Sequence, residues 1–142
     1  MTITEQKAAQ RKAGIAARRA LSDTERTHSN AALCARIMAL DCFKKAENIL
    51  LYAAFGGEAD LSTLAVEAAR QGKTLAYPVC GESFSLTAAV PGPDGWEVGT
   101  YGIRTPILSR SAVLPPDKLD LVLVPCTAFD ACLLYTSDAA DE

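Results

Sequence analysis

Two cations near the start of the chain are the first residues whose spacing suggests chemistry. Lys7 and Arg11 lie four residues apart, hence on one face of a predicted helix, and Arg18 falls close to that face. An arginine fork and a lysine point charge placed in this way can hold a polyphosphate. Spacing alone favours the simpler interpretation, a basic helix face that is solvated. Both interpretations stay open at this point.

A carboxylate after the first predicted strand is the second candidate. Glu58 follows Gly56 and Gly57, which end the apolar segment 48–55. A carboxylate at the carboxyl edge of a sheet can accept the paired N–H groups of a pterin or a purine. It can equally supply a negative charge at the N-terminus of the following helix. The residues themselves do not decide between these two roles.

A dense apolar run near the C-terminus leads to a third candidate, Asp130. Residues 119–125 are apolar except for Asp120, which is typical of a central parallel strand buried on both faces. Because ligands bind outside the carboxyl ends of parallel strands, residues 126–130 are predicted to form a functional loop. The alternative is that Asp130 only caps a turn.

The elements that must position these residues predict an α/β domain. A helix over residues 5–20, whose alanines form a thin apolar stripe, precedes a second helix that begins at the Ser22 capping box. A strand over 48–55, a helix ending at Gly72 and a strand over 74–79 form a βαβ unit. A two-residue hairpin at Gly81 and Glu82 then leads to a half-exposed antiparallel strand, and a long irregular stretch covers 91–116.

Composition narrows the class of protein. With 142 residues, 49% of them hydrophobic, the chain is large enough for one domain with its own core. The net charge of −3 argues weakly against nucleic-acid binding, although residues 1–20 carry a local +4. The five cysteines form no C-x-x-C pair and are interpreted as reduced, buried thiols of a cytoplasmic protein without zinc. No segment resembles a membrane span or a signal peptide, so we expect no membrane partner.

Neither common phosphate-loop pattern, G-x-x-x-x-G-K-[ST] or G-x-G-x-x-G, occurs in the chain. Taken together, the motifs instead resemble the 5-formyltetrahydrofolate cyclo-ligase family over residues 7 to about 131. No single motif is specific, but their order and spacing make the resemblance strong. Thr105 and Cys126 depart from the residues usual in the family. The motifs that carry the resemblance are Lys7-Ala-Ala-Gln-Arg11, Arg18-Arg19-Ala-Leu-Ser22, Ile49-Leu-Leu-Tyr52, Gly57-Glu58-Ala-Asp60, Gly72-Lys73-Thr-Leu-Ala-Tyr-Pro78, Gly99-Thr-Tyr-Gly102-Ile103 with Pro106, Asp120-Leu-Val-Leu-Val-Pro125 and Ala128-Phe-Asp130.

The resemblance implies a three-layer αβα domain with a mostly parallel open sheet and two N-terminal helices. Such an enzyme uses ATP and Mg²⁺ to convert 5-formyltetrahydrofolate into 5,10-methenyltetrahydrofolate, by phosphorylating the formyl oxygen so that N10 can attack the activated carbon. By resemblance, Lys7 and Arg11 bind ATP, while Ala53 and Glu58 bind the folate. No catalytic residue and no metal ligand is assigned. We expect a monomer for the full-length protein and no nucleic-acid partner.

The resemblance stops after Ala131. Family members continue into an Arg-Leu-Gly segment and a glycine-rich run ending in Tyr-Tyr-Asp, whereas residues 132–142 resemble translated adapter DNA. We therefore expect a partial domain over 1–131, incomplete at its C-terminus, a non-native tail over 132–142, and little or no activity. One alternative is a non-catalytic module whose basic first helix binds RNA or an acidic partner. Another is a different enzyme on a related three-layer fold.

Overall fold

A computed structural model describes residues 1–129 and 131 of the chain. Short 3₁₀ turns join several of the elements between residues 82 and 118. Within the described residues, the helices and strands are α1 (Ile3–Ala20), α2 (Asp23–Ala39), α3 (Asp41–Lys45), β1 (Asn48–Leu50), α4 (Ser62–Arg70), β2 (Thr74–Cys80), β3 (Leu86–Pro91), β4 (Trp96–Val98), β5 (Arg104–Pro106), β6 (Ser111–Leu114) and β7 (Leu121–Val122). In this part of the chain, no helix is both long and apolar enough to cross a membrane.

Five strands form one sheet in the order β6-β3-β2-β1-β7. β1 pairs in parallel with both β2 and β7, while β3 pairs antiparallel with β2 and with β6. Four of these five strands therefore run in the same direction. β4 and β5 form a separate antiparallel pair. The predicted α/β class, the mostly parallel sheet, the two N-terminal helices and the βαβ unit β1-α4-β2 are all confirmed.

The core lies where α2, α3 and α4 pack against β1. Ile49 and Leu51 alternate along β1 and its continuation, so both point to the helical side, where they are almost completely buried. Phe43 from α3 and Leu64 from α4 fill the same cluster, as does Cys34 from α2. This packing fixes β1 and the loop that follows it. Burial of such side chains is the main source of stability in a domain of this size.

Asp120 fixes β7 against β1 at the amino ends of the two strands. Its Oδ2 accepts the N–H groups of Glu47 at 3.0 Å and Asn48 at 2.8 Å. The Asp120 N–H in turn donates to the Asn48 carbonyl at 2.9 Å. These hydrogen bonds hold the pKa of Asp120 below its ordinary value, with a smaller contribution from the charge of Lys73.

The sequence-based prediction for residues 119–125 is wrong in its central point. β7 covers only Leu121–Val122 and pairs only with β1 among the described residues, so it lies at the edge of the sheet. Val122 is 47% exposed and Val124 is 62% exposed. The side chains of this run are apolar enough for a buried strand. In the described part of the chain, however, no element covers the side of the strand on which Val122 and Val124 lie.

Three further predictions need correction. The first strand ends at Leu50, and residues 51–55 lead to the paired glycines without regular strand structure, although the Leu51 N–H still donates to the Ala76 carbonyl at 2.8 Å. The hairpin between β2 and β3 has five residues rather than two, since Cys80 pairs with Leu86. The stretch 91–116 is not irregular, because it contains the β4–β5 pair and strand β6. The capping box that begins α2 is confirmed: Ser22 Oγ accepts the Glu25 N–H, and Glu25 Oε2 accepts the Ser22 N–H.

The predicted burial of the cysteines is correct for Cys34 alone among those described. Cys42, Cys80 and Cys126 are exposed, because they lie on the outer face of a short helix, at the end of β2 and in the segment after β7. All four described thiols are free. Cys132 lies outside the described residues.

Replacing Leu64 tests the core. We expect Leu64→Ala to lower the free energy of unfolding by about 2–5 kcal/mol, since Leu64 has no exposed surface and its removal leaves a cavity. Val66→Ala on the same helix is the control, because Val66 is 71% exposed. Its effect should stay within about 0.5 kcal/mol. Urea unfolding followed by circular dichroism measures both, and equal effects would contradict this core.

Replacing Asp120 tests the attachment of β7. A pKa below the ordinary 3.8 in the folded state means that the carboxylate stabilises the fold above that pH, and that this contribution is lost as the pH falls through the folded-state pKa. We therefore expect Asp120→Asn to unfold at lower urea than the wild type at neutral pH. The difference should shrink below about pH 4 as the wild-type carboxylate becomes protonated. A difference that is independent of pH would contradict this role.

Candidate functional site

A tight loop after β1 presents Glu58 at the carboxyl edge of the sheet. Gly56 and Gly57 have φ values of 60° and 83°, which allow the chain to reverse without strain from a Cβ atom. The Phe55 N–H donates to Glu58 Oε2 at 3.0 Å, and the Glu58 N–H donates to the Phe55 carbonyl at 3.1 Å. Within the part of the chain that the structure describes, the other oxygen of the carboxylate accepts no hydrogen bond. It can therefore accept one from a ligand.

Helix α2 holds the second half of this loop. Asn30 Oδ1 accepts the Asp60 N–H at 3.2 Å, and Cys34 Sγ lies 3.7 Å from the Asp60 carbonyl, to which it donates. From the other side, the Tyr52 hydroxyl donates to the Ala59 carbonyl at 2.7 Å. Because the loop backbone is bound at successive residues, the position of the Glu58 carboxylate is determined by α2 as well as by β1.

A cavity of about 310 Å³ opens between α2, this loop and the segment after β7. Glu58 and Tyr52 supply its polar groups, and Cys126 and Phe129 lie on its wall. Most of the remaining lining is apolar, with Leu33 and Ile37 from α2 and Val124 after β7. An apolar cavity with a few fixed polar groups is the usual form of a small-molecule site.

Tyr52 is a neutral hydrogen-bond donor in this cavity. Burial, together with a smaller contribution from the nearby charge of Glu58, raises the pKa of its hydroxyl to about 12. The phenol therefore keeps its proton at neutral pH. This proton is directed to the Ala59 carbonyl, so Tyr52 supports the loop rather than taking part in proton transfer.

The basic face of α1 is turned towards the body of the protein. Lys7, Arg11 and Arg18 are all partly buried, together with Gly14 and Ile15, although no residue of α1 is fully buried. The alanine stripe that the sequence suggested as the apolar face is exposed instead, at Ala9, Ala13, Ala16 and Ala20. The inward face of α1 therefore carries its cations, Gly14 and Ile15, and not the alanines.

Gly14 allows α1 to approach the segment after β7 closely. A Cβ atom at this position would lie 2.7 Å from the carbonyl oxygen of Thr127, well inside van der Waals contact. Thr127 directly follows Cys126, which lines the cavity. The middle of α1 therefore lies against the cavity wall, with Lys7 and Arg11 on the same face of the helix as Gly14.

Two candidates from the sequence, Ala53 and Asp130, are not among the described residues that line the cavity. Ala53 is partly buried in the segment that leads from β1 to the paired glycines, but it is not part of the lining of the cavity near Glu58. Asp130, the third candidate, lies outside the described residues. Among those that are described, no group of three or more His, Cys, Asp or Glu side chains could hold a metal ion.

Tyr52 and the α2 residues Asn30 and Cys34 were not among the residues singled out from the sequence. Asn30 and Cys34 are four residues apart and continue the line of Ile37 along one face of α2. This spacing was readable, but it does not reveal that the face would contact a loop about thirty residues further along the chain. Tyr52 belongs to the Ile49–Tyr52 motif, but it lies in an apolar segment interpreted as a strand, so the contact of its hydroxyl with the loop was not predicted.

Comparison with known proteins gives a consistent result. The sequence model of the 5-formyltetrahydrofolate cyclo-ligase family matches residues 3–132. The NMR structure of 5,10-methenyltetrahydrofolate synthetase from Aquifex aeolicus is similar to this chain with 30% identity and a TM-score of 0.75, over 87% of this chain and 62% of that one. None of the curated proteins compared with the chain matches it.

A second solved structure supports the fold alone. The 5,10-methenyltetrahydrofolate synthetase from Mycoplasma pneumoniae is 20% identical with a TM-score of 0.61, over 87% of this chain and 65% of that one. The chain therefore spans less than two thirds of the length of either of these two proteins.

Replacing Gly14 tests the close approach of α1. Alanine favours a helix over glycine by roughly 0.5–1 kcal/mol, so a free helix would be stabilised. Here the new Cβ would collide with the Thr127 carbonyl. We expect Gly14→Ala to displace α1 and to increase hydrogen exchange of its amides. Ala17→Ser, at an exposed position of the same helix, is the control. Slower exchange in Gly14→Ala would contradict the contact.

Proposed function

The chain belongs to the 5-formyltetrahydrofolate cyclo-ligase family, and we propose that it carries the ATP-contacting helix and the folate-binding loop of such an enzyme. The reaction is the ATP-dependent cyclisation of 5-formyltetrahydrofolate to 5,10-methenyltetrahydrofolate. One observation carries the proposal: the basic face of α1 and the Glu58 loop both border the carboxyl edge of the sheet, where open parallel sheets bind their ligands.

Lys7 and Arg11 bind the phosphates of ATP in this proposal. Their partial burial supports it, because a purely solvated basic face would turn away from the protein. Partly buried lysine and arginine side chains lose part of their hydration, which strengthens their attraction to an anion. A triphosphate fits a pair of cations four residues apart on one helix face.

Glu58 binds the pterin end of the folate, and Ala53 contributes to the same subsite. The carboxylate oxygen that accepts no hydrogen bond within the described residues supports the role of Glu58. Two neighbouring N–H groups of a pterin are suitable donors to a carboxylate. The apolar cavity beside Glu58 suits the flat ring system. Ala53 lies five residues before Glu58 and outside this cavity lining, so its contact would come from the other side of the loop.

ATP supplies a phosphoryl group that converts the formyl oxygen into a leaving group. The residues of this chain hold the two reactants: cations on α1 fix the phosphates, and Glu58 fixes the pterin, so that formyl oxygen and terminal phosphate can meet. Such positioning, together with fixed positive charge near the transferring group, is how phosphoryl-transfer sites lower the barrier. Mg²⁺ is expected for this family, and the described residues include no group of three or more His, Cys, Asp or Glu side chains that could hold it.

We propose that this chain by itself turns over slowly. It has no glycine after Gly102, so it contains no glycine-rich run of the kind expected to bind ATP and substrate in the family. Removing one set of contacts to a transferring phosphoryl group costs on the order of 10³-fold in rate. We further propose that residues 1–131 are a partial domain, that 132–142 are a non-native tail, and that the full-length protein is a cytoplasmic monomer.

Two sets of substitutions separate the ligands. Lys7→Ala with Arg11→Ala should weaken ATP binding at least about tenfold and leave folate binding unchanged, because hydrogen bonds to charged groups contribute about 1.5–3 kcal/mol each. Glu58→Gln should weaken binding of 5-formyltetrahydrofolate and leave ATP binding unchanged. Isothermal titration calorimetry measures both affinities.

The matched control is Lys12→Ala with Arg19→Ala, which removes the same charge from exposed positions of α1. Equal losses of ATP affinity in the two double variants would mean that only the overall charge matters, and would contradict the proposed site. If the chain binds RNA but binds neither ATP nor 5-formyltetrahydrofolate, the alternative of a non-catalytic module is favoured.

A further inference from the structure

We propose that Arg26 is a positioning residue that joins the phosphate-binding helix to the loop that presents Glu58. The inference rests on the proposed function, because it concerns how the two halves of that site are held together. Arg26 lies in the second turn of α2 and is partly buried, whereas most of its neighbours in that part of the helix are exposed.

One arm of the Arg26 guanidinium is bound to the end of α1. Nη2 donates to the Arg18 carbonyl at 2.8 Å. The last four carbonyls of a helix have no partner within the helix, so this bond satisfies a group that would otherwise need water. A cation is also favoured here, because the C-terminal end of a helix carries partial negative charge.

The other arm lies over the turn that precedes Glu58. A Cβ atom built on Gly57 would lie 3.0 Å from Arg26 Nη1, so the guanidinium occupies the space beside this glycine. The stem of Arg18 approaches the same position, with Cγ 3.8 Å from the built atom. The absence of a side chain at Gly57 therefore serves two purposes: it permits the left-handed turn, and it admits the guanidinium of Arg26.

Helix α2 is well placed to connect α1 with the loop that presents Glu58. Arg26, Asn30 and Cys34 follow one another at four-residue intervals, so they lie along one face of the helix. Asn30 and Cys34 are bound to the backbone of Asp60, which fixes the far side of the loop. Arg26 extends this line of contacts past Gly57 to α1. Because α1 has no fully buried residue, a hydrogen bond at its C-terminal end is well placed to help set its position.

The shape of the side chain matters as much as its charge. A guanidinium presents N–H groups in a rigid fork, so one arm can bind a carbonyl while the other packs against the turn. An ammonium is a single point on a flexible stem and cannot fill both positions. Arg26→Lys therefore keeps the positive charge but cannot keep both guanidinium contacts, to the Arg18 carbonyl and beside Gly57. The variant thus distinguishes a positioning role from an effect of charge alone.

The test compares Arg26→Lys with Arg36→Lys in the full chain. Arg36 lies on the same helix with an exposed side chain, so both variants retain the net charge and both lose one guanidinium. ATP affinity is measured by calorimetry, and amide exchange of α1 and of the 55–60 loop by mass spectrometry. We expect Arg26→Lys to weaken ATP binding about tenfold and to speed exchange in both segments. Arg36→Lys should match the wild type.

The outcomes distinguish this inference from the proposed function. If the wild type binds ATP and Arg26→Lys binds it equally well, the positioning role is wrong. If the wild type binds no ATP, the proposed function fails. The amide exchange data then decide by themselves whether Arg26 positions α1 and the loop. Unchanged exchange in α1 and in the loop of Arg26→Lys would overturn the positioning role of Arg26. Faster exchange in both segments, with exchange in α4 unchanged, would support it. Urea unfolding of each variant shows whether a general loss of stability explains the result.

Discussion

The constraint on which the rest of the site depends is the attachment of the loop after β1 to helix α2. β1 is held between β2 and β7, so its carboxyl end is fixed by the sheet. Asn30 and Cys34 then bind the backbone of Asp60, while Tyr52 binds the carbonyl next to it. Glu58 therefore lies between the fixed end of β1 and the bound backbone of Asp60. A carboxylate held in this way loses little conformational freedom when it binds a ligand, which is the physical benefit of a preorganised site.

The proposed phosphate-binding half, helix α1, is less deeply packed than the loop. α1 buries no residue completely, and its closest described contacts are polar or involve a glycine: Arg26 with the Arg18 carbonyl, and Gly14 with Thr127. A helix without a fully buried side chain opens more readily than the core. The two halves therefore differ in rigidity. In the proposed site, ATP would stabilise a helix that lacks a fully buried side chain, whereas the pterin end would meet a loop that is already in place.

Much of the fold was readable from local sequence, and the errors share a physical cause. The capping box at Ser22, the glycine turn before Glu58 and the βαβ unit depend on neighbouring residues, so sequence patterns identify them. The burial of Val122 and Val124 depends on what covers the strand, which composition cannot supply. On α1 the alanines looked like the buried face because they are apolar, yet small side chains gain little from burial. The close approach of the helix depends on Gly14, whose neighbour Thr127 is distant in sequence.

The central claim is that the basic face of α1 and the Glu58 loop form one site at the carboxyl edge of the sheet. The most direct measurement is an NMR titration of the isotope-labelled chain with ATP, followed by 5-formyltetrahydrofolate. The account predicts that ATP shifts amides along residues 6–18 and 126–129, and that folate shifts those of 51–60. A competing basic surface exists at the opposite end of the strands, around Lys44, Lys45 and Lys73. ATP-induced shifts confined to that end, with α1 unaffected, would contradict the account.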